Sequence, residues 1–378
     1  MRDRSTVLQA VVVLSLWAVA ALPATARSAS SASEPCHPQI ELTLDASAAE
    51  AVLSMLEGGA AADRGWQDLL DTTPYRRLHE REAALGRSFT DASFRAFIES
   101  EELAQRAASL RRTLDDWRQL DLEASGRRIL TYLPPDACLR ASIYPMIKPR
   151  TNSFVFGLDG DPAVFLYLNP KMSAAEFENI VAHELHHIGF ASLPAVEDAV
   201  RSPDCESLDD GPEGDAARTE ALRWLGAFGE GLAMLAAAGG PDIHPHATSP
   251  PETRARWDRD VAHAERDLAA LDAFFRAVLD RRLEGKAIRE RAMEFFGVQG
   301  PWYTVGWVMA VAVERKHGRA ALVDSMRRPT AFLELYNETA AADPTLPRWS
   351  PGLVERLAAP RDACAEATPP GAPSAPQR

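Results

Sequence analysis

The sequence predicts an α+β fold that is predominantly helical, with a small sheet packed among the helices. Apolar residues recur at helical spacing from Asp45 to about Ser125, and again after Ser173. Between these regions, Ile129 to Leu168 holds short apolar and β-branched runs separated by turn residues, which is typical of strands. The 378 residues, 46% hydrophobic and 25% charged, have ordinary globular composition and suffice for a large core.

The first 26 residues predict a cleavable signal peptide. A net-basic start at residues 1–4 precedes an apolar run from Val7 to Leu22, and Ala24 and Ala26 have the small-residue spacing that signal peptidase recognises. Cleavage after Ala26 would release a secreted or periplasmic protein. The alternative is an uncleaved membrane anchor, although the apolar run is shorter than the roughly 20 residues that a membrane span needs.

The rest of the chain is divided by composition. We expect a flexible leader over residues 27–44 and a disordered tail, rich in Pro, Ala and Gly, over residues 365–378. Residues 45–364 are expected to form a single domain, with a helical lead-in over 45–125 and a core over 126–364. The lead-in helices are interpreted as scaffold, because their apolar stripes are those of packed amphipathic helices.

Three short runs within the core are predicted as strands. They are Ile129–Leu133, Ser153–Phe156 and Ala163–Leu168. Residues 157–162, rich in Gly, Asp and Pro, form a predicted turn between the second and third runs. The order is therefore a group of strands followed by the helix described next.

A helix is predicted directly after the third strand. Ser173 and Glu176 have the spacing of a capping box, which predicts the helix start, and Gly189 is a plausible stop. The apolar stripe of this helix comprises Phe177, Ile180, Val181 and Ile188. Further helices are predicted at Asp215 to Ala238, Pro251 to Arg282, Lys286 to Phe296, and Tyr303 to Lys316.

The helix after the third strand carries the pattern HExxH. His183 and His187 are four residues apart, so both imidazoles lie on one helix face and can bind one ion. Zinc accepts imidazole nitrogen at about 2.0–2.1 Å and takes four ligands. Glu184 follows the first histidine and, in this pattern, acts on a metal-bound water as general base. His186 also approaches this face, but a His183/His186 pair would leave Glu184 without a role, so we interpret His186 as a flanking residue.

A catalytic zinc needs a third protein ligand and an open position. Glu230 lies in a small, apolar helical segment, where a carboxylate is costly without a partner such as a metal ion. The alternatives are a solvent-facing Glu230, or Glu220 as the ligand in its place. His244 and His246 lie in a Pro-rich segment and are interpreted as surface histidines.

These motifs resemble known metallopeptidases. The strings VAHELHHIGF and GEGLAML are similar to those of the gluzincin group, in which a Glu on a later helix is the third ligand. The string GPWYTVGWVMAVAVERKHGR resembles a bacterial family of inferred zinc-dependent peptidases, and the resemblance covers Asn152 to Asn337. It implies a zincin-like core in which the small sheet packs on the HExxH helix. It further implies His183, His187 and Glu230 as zinc ligands and Glu184 as the base.

The same resemblance bears on Tyr303. In such enzymes a phenol often donates a hydrogen bond to the developing oxyanion, and Tyr303 opens a predicted helix after Gly300-Pro301. The alternative, left open by the sequence, is an aromatic packing residue beside Trp302 and Trp307.

The sequence thus favours an exported zinc-dependent peptidase with Zn²⁺ as cofactor. Glu184 would take a proton from the attacking water and deliver it to the leaving amine. The partner is expected to be a peptide or protein substrate, and an extended substrate could add to Ala163–Leu168 if that strand lies at a sheet edge. A formal net charge of -13 argues against nucleic acid and anionic lipid as partners, and no membrane association is expected after signal cleavage. The oligomeric state is left open.

Two other functions remain compatible with the residues. One is an exported, non-enzymatic helical binding protein with a structural or vestigial metal site. The other is a metallohydrolase that acts on a non-peptide amide. No Gly-rich phosphate loop or serine nucleophile elbow is found in the sequence.

The four cysteines are not spaced as a zinc or redox motif. Cys36, Cys138, Cys205 and Cys364 include no CxxC pair. In an oxidising compartment they are expected to form two disulfides with any of three connectivities, free thiols being the alternative.

Overall fold

The computed structural model describes residues 39–58, 62–158, 160–193 and 212–358. The predicted signal peptide (1–26), most of the predicted leader and the predicted tail (365–378) lie outside these residues, as do Cys36, Cys205 and Cys364. Within the described part of the chain, no helix combines the length and the apolar character that a membrane crossing requires.

Helices form most of the described structure, and a four-stranded sheet lies among them, so the predicted α+β class is confirmed. The strands are β1 (Ile40–Leu44), β2 (Leu139–Met146), β3 (Phe154–Phe156) and β4 (Ala163–Tyr167). The helices between β1 and β2 are α1 (Ser47–Glu57), α2 (Ala62–Asp71), α3 (Thr73–Ala84), α4 (Asp91–Ile98), α5 (Glu101–Ala104), α6 (Ala107–Trp117) and α7 (Leu122–Leu130). Those that follow the sheet are α8 (Ala174–Ala191), α9 (Pro212–Leu225), α10 (Gly229–Ala238), α11 (Pro251–Val261), α12 (Ala264–Leu279), α13 (Lys286–Glu294), α14 (Pro301–His317), α15 (Arg319–Met326), α16 (Pro329–Ala341) and α17 (Pro351–Leu357).

The helical lead-in is confirmed, and side-chain caps explain where several of its helices begin. The Thr72 hydroxyl accepts a hydrogen bond from the Tyr75 backbone at the start of α3. Thr90 and Ser93 form a capping box at the start of α4. Such caps satisfy backbone N–H groups that have no partner inside the helix.

The sheet has the order β1-β2-β4-β3. β1 and β4 both run parallel to β2, and the short β3 runs antiparallel to β4. β4 therefore lies inside the sheet, and all five of its residues are buried. The hypothesis that the run Ala163–Leu168 is an edge for substrate is wrong, because both sides of β4 are already paired. The edges are β1 and β3.

The predicted strand at Ile129–Leu133 is wrong. These residues are the end of α7 and the turn that follows it. The Asp121 side chain accepts a hydrogen bond from Ala124 N at 2.8 Å and caps the helix, and the fully buried Ile129 belongs to its apolar stripe. A short apolar run has the same composition in a buried helix end and in a strand.

The flexible leader predicted over residues 27–44 is also wrong for residues 40–44, which form β1. Gly126 of α7 packs closely on this strand, and a Cβ at Gly126 would lie 3.2 Å from Ile40 Cγ2. The alternation in Ile40–Leu44 is a strand signal that the Ser/Ala-rich segment before it obscures. β2 was not predicted either, whereas β3 and β4 confirm the second and third predicted strands.

α8 begins as predicted and ends later. The Ser173 hydroxyl accepts a hydrogen bond from Glu176 N at 3.1 Å, and the Glu176 carboxylate bonds the Ser173 backbone, which completes the capping box. The helix passes through Gly189 and ends at Ala191. Gly189 serves packing instead, because a Cβ there would lie 2.2 Å from Leu133 Cδ1 and 2.8 Å from Leu139 Cδ2.

The long helices predicted downstream are divided. The segment from Asp215 to Ala238 is α9 and α10 with a 3₁₀ turn, Gly226–Phe228, between them. The segment from Pro251 to Arg282 is α11 and α12, and the last three helices were not predicted.

The chain divides into two compact units. The first comprises Met1–Leu193 and Ala233–Ala255 and contains the sheet and α8; the second comprises Pro194–Leu232 and Arg256–Arg378. The division falls within α10, between Leu232 and Ala233, so this helix contributes to both units. The single domain expected over residues 45–364 stays a prediction.

Candidate metal centre

His183 and His187 bring two ring nitrogens together on α8. Their Nε2 atoms are 3.1 Å apart, with ring centroids 4.8 Å apart and planes at 79°. Two imidazoles bound to one tetrahedral ion at about 2.0–2.1 Å would have nitrogens roughly 3.3 Å apart. Both side chains are buried, at 5% and 4% exposure. The four-residue spacing on the helix thus places the two nitrogens close to the separation expected for two ligands of one ion.

Glu230 provides the third group. It lies in the first turn of α10 and is 1% exposed. One ligand atom from each of His183, His187 and Glu230 lies within 4.8 Å of the others. Two imidazoles and one carboxylate are the donor set of catalytic zinc sites that keep a fourth position for water or substrate. A cation would also offset the cost of burying this carboxylate. The residues therefore fit zinc.

Glu184 is fully buried beside the first histidine of the pair. It is outside the three-residue ligand group found among the described residues. Its neighbour in sequence, His183, belongs to that group, so Glu184 lies beside the ligands without being one of them. This position is consistent with the predicted role of Glu184 as a general base that takes a proton from water.

His186 and Glu220, the other two candidates near these ligands in sequence, also fall outside the group. His186 is 1% exposed, with its ring centroid 6.3 Å from that of His187. The Glu220 carboxylate accepts hydrogen bonds from Trp224 Nε1 and Arg223 Nη1, both at 3.0 Å. These partners lie three and four residues later on α9, so local contacts account for Glu220.

The glycines of the motif strings have a steric role beside Glu230. A Cβ at Gly231 would lie 2.2 Å from Trp307 N and 2.3 Å from Gly306 C. A Cβ at Gly306 would lie 3.0 Å from Phe228 O. Backbone thus packs on backbone where the start of α10 meets α14. This explains a glycine next to the ligand and another at the end of Tyr-Thr-Val-Gly.

Tyr303 lies in the first turn of α14 and is 3% exposed. Its ring centroid is 6.4 Å from that of Phe296. The main packing role belongs to its neighbour Trp302, which is fully buried, donates from Nε1 to Ala292 O at 2.9 Å and touches several Phe rings. Tyr303 also precedes Gly306 by one turn, so it shares a helix face with the residue that approaches Gly231. Its catalytic role stays a prediction.

His246 differs from the sequence expectation. It was interpreted as a surface histidine, but it is only 4% exposed. It follows Pro245, whose carbonyl accepts a hydrogen bond from Asn179 Nδ2 of α8 at 3.2 Å. No local pattern predicts this contact, because Asn179 and Pro245 are 66 positions apart.

The buried Lys148 and the partly exposed Glu176 are among the groups of the first unit that have shifted pKa values. Burial, together with the charge of Arg81, lowers the pKa of Lys148 to about 7. The Lys148 amine donates to Arg150 O and Asn152 Oδ1 in the connection that leads to β3. Burial, and the charge of Glu252, raise the pKa of Glu176 at the start of α8 although the Ser173 N–H opposes the shift.

The fold and the site thus define an α+β protein with a buried His-His-Glu group that could hold a metal ion. Residues 66–345 match the family described as "Putative zinc dependent peptidase (DUF5700)", and the chain belongs to that family. The resemblance inferred from the sequence is confirmed at this level, whereas the gluzincin assignment stays a prediction. Neither the curated proteins nor the solved structures include a match to this chain.

Proposed function

We propose that this protein is an exported zinc-dependent peptidase. His183, His187 and Glu230 would hold the zinc, and Glu184 would be the general base. The observation that carries the proposal is the buried His-His-Glu group with a fully buried carboxylate beside it. Membership of a family described as zinc-dependent peptidases supports the same reaction class.

Zinc, when bound, supplies a Lewis acid and lowers the pKa of water toward about 7. Glu184 takes a proton from the water that attacks the peptide carbonyl carbon and delivers it to the leaving nitrogen. One C–O bond forms and the C–N bond breaks, so the products are a carboxylate and an amine. The burial of Glu184 keeps this carboxylate away from bulk water.

Tyr303 is proposed to donate a hydrogen bond to the oxygen that gains negative charge. Tyr303 lies one helical turn before Gly306, which packs against Gly231 next to Glu230, and this position supports the role. A donor of this kind typically contributes about 2.7–4 kcal/mol, or 10²–10³ in kcat. We therefore expect Tyr303→Phe to lower kcat by this factor without loss of zinc, and an unchanged kcat would assign Tyr303 to packing.

An extended peptide substrate is proposed to pair with β3. β3 lies at an edge of the sheet, whereas β4 lies inside it. Its free edge offers backbone groups to an extended chain. A structure of an inhibitor complex tests the idea, since a peptide that does not run along Phe154–Phe156 would contradict it.

Export is proposed from the N-terminal sequence, with a secreted or periplasmic location and two disulfides. Cys138, the only cysteine among the described residues, is disulfide-bonded, which supports an oxidising compartment. N-terminal sequencing of the mature protein tests the signal: it should begin at Arg27, and retention of Met1 would contradict cleavage.

The peptidase function is tested with the wild type and Glu184→Gln on an unfolded, fluorescently labelled protein substrate. Both should contain one zinc, and only the wild type should hydrolyse the substrate. If both proteins contain zinc and both are inert across a broad peptide library, the chain is a metal-containing binding protein. Turnover of small amides without any peptide cleavage would indicate a non-peptide substrate.

A further inference from the structure

The hydrogen bonds around β4 show which of its backbone groups face each neighbouring strand. Ser142 N of β2 donates to Pro162 O at 3.1 Å, and Leu168 N donates to Met146 O of β2 at 2.9 Å. Successive residues of a paired strand point their N–H and C=O groups to opposite sides. The even-numbered residues from 162 to 168 therefore face β2, and the odd-numbered residues between them face β3.

Val155 is the residue of β3 whose backbone faces the open edge of the sheet. Phe154 and Phe156, on either side of it, lie opposite odd-numbered residues of β4 and so exchange hydrogen bonds with that strand. Val155 lies opposite Val164, whose backbone groups face β2. The N–H and C=O groups of Val155 therefore point away from β4, at the edge that we propose for an extended peptide.

The side chain of Val155 lies on the face of the sheet that packs against α8. Residues directly opposite each other in a sheet share a face, so Val155 shares its face with Val164 and, through β2, with Leu139. A Cβ at Gly189 of α8 would lie 2.8 Å from Leu139 Cδ2, which places α8 on this face. β3 therefore borders the layer formed by the helix that carries the two candidate histidine ligands.

Lys148 ends the pairing of β3 with β4. Continuing the register of β3 places Asn152 opposite Tyr167, whose backbone faces β3. Regular pairing would give the Asn152 carbonyl to Tyr167 N, but Tyr167 N donates to Ser153 Oγ at 3.2 Å. The Asn152 carbonyl accepts from the Lys148 amine instead. The same amine donates to Asn152 Oδ1 at 3.0 Å and to Arg150 O at 2.6 Å.

These contacts make Lys148 a buried brace for the short connection 149–152 that leads to β3. Lys148 is 3% exposed, and the three N–H groups of its ammonium form have three oxygen acceptors in this connection. The amine also lies 5.5 Å from the ring centroid of Phe154, the first residue of β3. Arg81 of α3 lies over the same ring at 3.5 Å. The start of β3 is therefore held by two basic side chains, and the proposed mechanism uses neither.

We propose that Lys148 is a positioning residue for the substrate, whose ammonium group holds the connection 149–152 so that the Val155 backbone pairs with an extended peptide. The proposal rests on the peptidase function and on the pairing of the peptide with β3. Lys148 acts through the connection and does not touch the peptide. A strand of three residues has little pairing of its own to fix its position, so a brace at its start determines where Val155 lies.

The pairing has a consequence for the substrate. The Val155 carbonyl needs an N–H donor from one residue of the peptide, and proline and N-methylated residues have none. The substrate is therefore an extended peptide that has a free backbone N–H at the residue facing Val155. We expect proline to be rejected at this one position and tolerated at positions that face away from β3.

The kinetic test uses full-length mature protein, the variant Lys148→Met and the matched control Lys171→Met, since Lys171 is exposed. The substrates are a peptide that the wild type cleaves and copies of it with one non-scissile backbone nitrogen methylated in each. For the wild type, methylation at one position should raise KM about three- to ten-fold, the worth of one hydrogen bond. Lys148→Met should raise KM for the parent peptide by about the same factor and leave kcat within about two-fold.

The two changes should not add. In Lys148→Met, methylation at the sensitive position should have little further effect, because the pairing that it removes is already weakened. A lysine that only stabilises the fold would give penalties that add. Assays are made at pH 6.5, where most of the Lys148 amine is charged, because burial and the charge of Arg81 lower its pKa to about 7. Lys171→Met should behave like the wild type throughout.

Amide hydrogen exchange, followed by NMR on protein labelled with ¹⁵N-valine and ¹⁵N-phenylalanine, gives a readout without turnover. In the free wild type, Phe154 and Phe156 should exchange slowly and Val155 quickly. The parent peptide bound to Glu184→Gln should slow exchange at Val155, and adding Lys148→Met should reduce this protection. If Lys148→Met does not fold, Asn152→Ala replaces it, since this variant removes one acceptor and keeps the amine; it should raise KM in the same direction.

Three results would overturn the proposal. They are an unchanged KM in Lys148→Met, additive penalties for Lys148→Met and methylation, and slow exchange of the Val155 amide in the free wild type. A wild type that is as inert as Glu184→Gln would instead refute the peptidase function, and the substrate role of Lys148 would fall with it. An active wild type with an unchanged KM in Lys148→Met refutes only the proposal about Lys148.

Discussion

The proposed metal chemistry depends, at the residue scale, on the Glu230 carboxylate, which is 1% exposed. Burial of the Glu230 carboxylate is costly, and neighbouring His183 and His187 add no positive charge when they are neutral. A bound cation removes this cost, which is why a single acidic residue in an apolar helix is informative in the sequence. The reserve candidate Glu220 lacks this property, since it is partly exposed and bonds Trp224.

The first prediction compares these two carboxylates. Glu230→Gln should weaken zinc binding by more than about 100-fold, because loss of groups that only support the ligands already costs 10–100-fold. Glu220→Gln is the matched control and should bind zinc like the wild type. Competition titration with a chelator measures both. Equal affinities for the two variants would show that Glu230 is not a ligand.

The second prediction concerns Lys148 and pH. Its pKa is lowered to about 7 by burial, so the unfolded chain binds more protons than the folded chain between pH 7 and the ordinary value of 10.5. Stability should therefore rise with pH across this window, relative to Lys148→Met, which carries no charge to bury. Below pH 7 the amine is charged in both states, and the penalty is fully present.

Urea unfolding of the wild type and Lys148→Met at several pH values between 6 and 10 measures this difference. The exposed Lys171 provides the control variant Lys171→Met, for which the difference from wild type should not change with pH. A constant difference for Lys148→Met would show that Lys148 is not titrating in this range.

At the element scale, the position of Glu230 depends on the packing of α10 against α14. Gly231 allows the two backbones to approach, and the carboxylate is carried by the preceding residue. A side chain at Gly231 must push α14 away or turn the start of α10. Either movement displaces Glu230 relative to the position that the histidines define.

The third prediction follows from this contact. Gly231→Ala should destabilise the protein by about 1–3 kcal/mol, the usual range for overpacking, and should also weaken zinc binding. Gly229→Ala is the matched control on the same helix, because a Cβ there meets nothing within 4 Å. Thermal unfolding and zinc titration check the pair. Normal zinc binding in Gly231→Ala would contradict a positioning role.

The elements show where sequence reasoning succeeds and where it does not. α8 was predictable because its cap, stripe and histidine spacing are all local features. β1 was missed because the Ser/Ala-rich segment before it obscures its alternation, and β2 was missed because its pairing with β1 and β4 is set by tertiary structure. The apolar run at Ile129 was placed in a strand because only the cap at Asp121 identifies it as a helix end.

The residues of the candidate site likewise differ in whether local sequence features predict them. His183, Glu184 and His187 follow from one helix period, and Glu230 follows from the cost of its burial. The burial of His246 could not be inferred, because the adjacent Pro245 is held by a hydrogen bond from Asn179, 66 residues away in sequence. Contacts of this kind are set by tertiary packing, which leaves no spacing in the sequence.

At the scale of the whole molecule, the chain forms two compact units, and α10 contributes residues to both. The proposed ligands lie on α8 and α10. Metal binding to the folded state alone adds stability by mass action. Zinc should therefore stabilise the fold as well as activate water.

The fourth prediction is that chelation of zinc lowers the melting temperature. At a free zinc concentration 100 times the Kd, the bound ion contributes about 2.7 kcal/mol, which for a chain of this length is a shift of a few degrees. Glu230→Gln should show a much smaller shift on chelation. An identical melting temperature with and without zinc would mean that the ion binds the folded and unfolded chains equally.

The central claim is that one zinc ion binds at the His-His-Glu group. A crystal structure of the zinc-loaded protein, with anomalous data collected above and below the zinc edge, tests it most directly. We expect one strong anomalous peak bonded to Nε2 of His183, Nε2 of His187 and a carboxylate oxygen of Glu230, with a further position open to solvent. A peak bonded to other residues, or full zinc loading with no peak at these three, would contradict it.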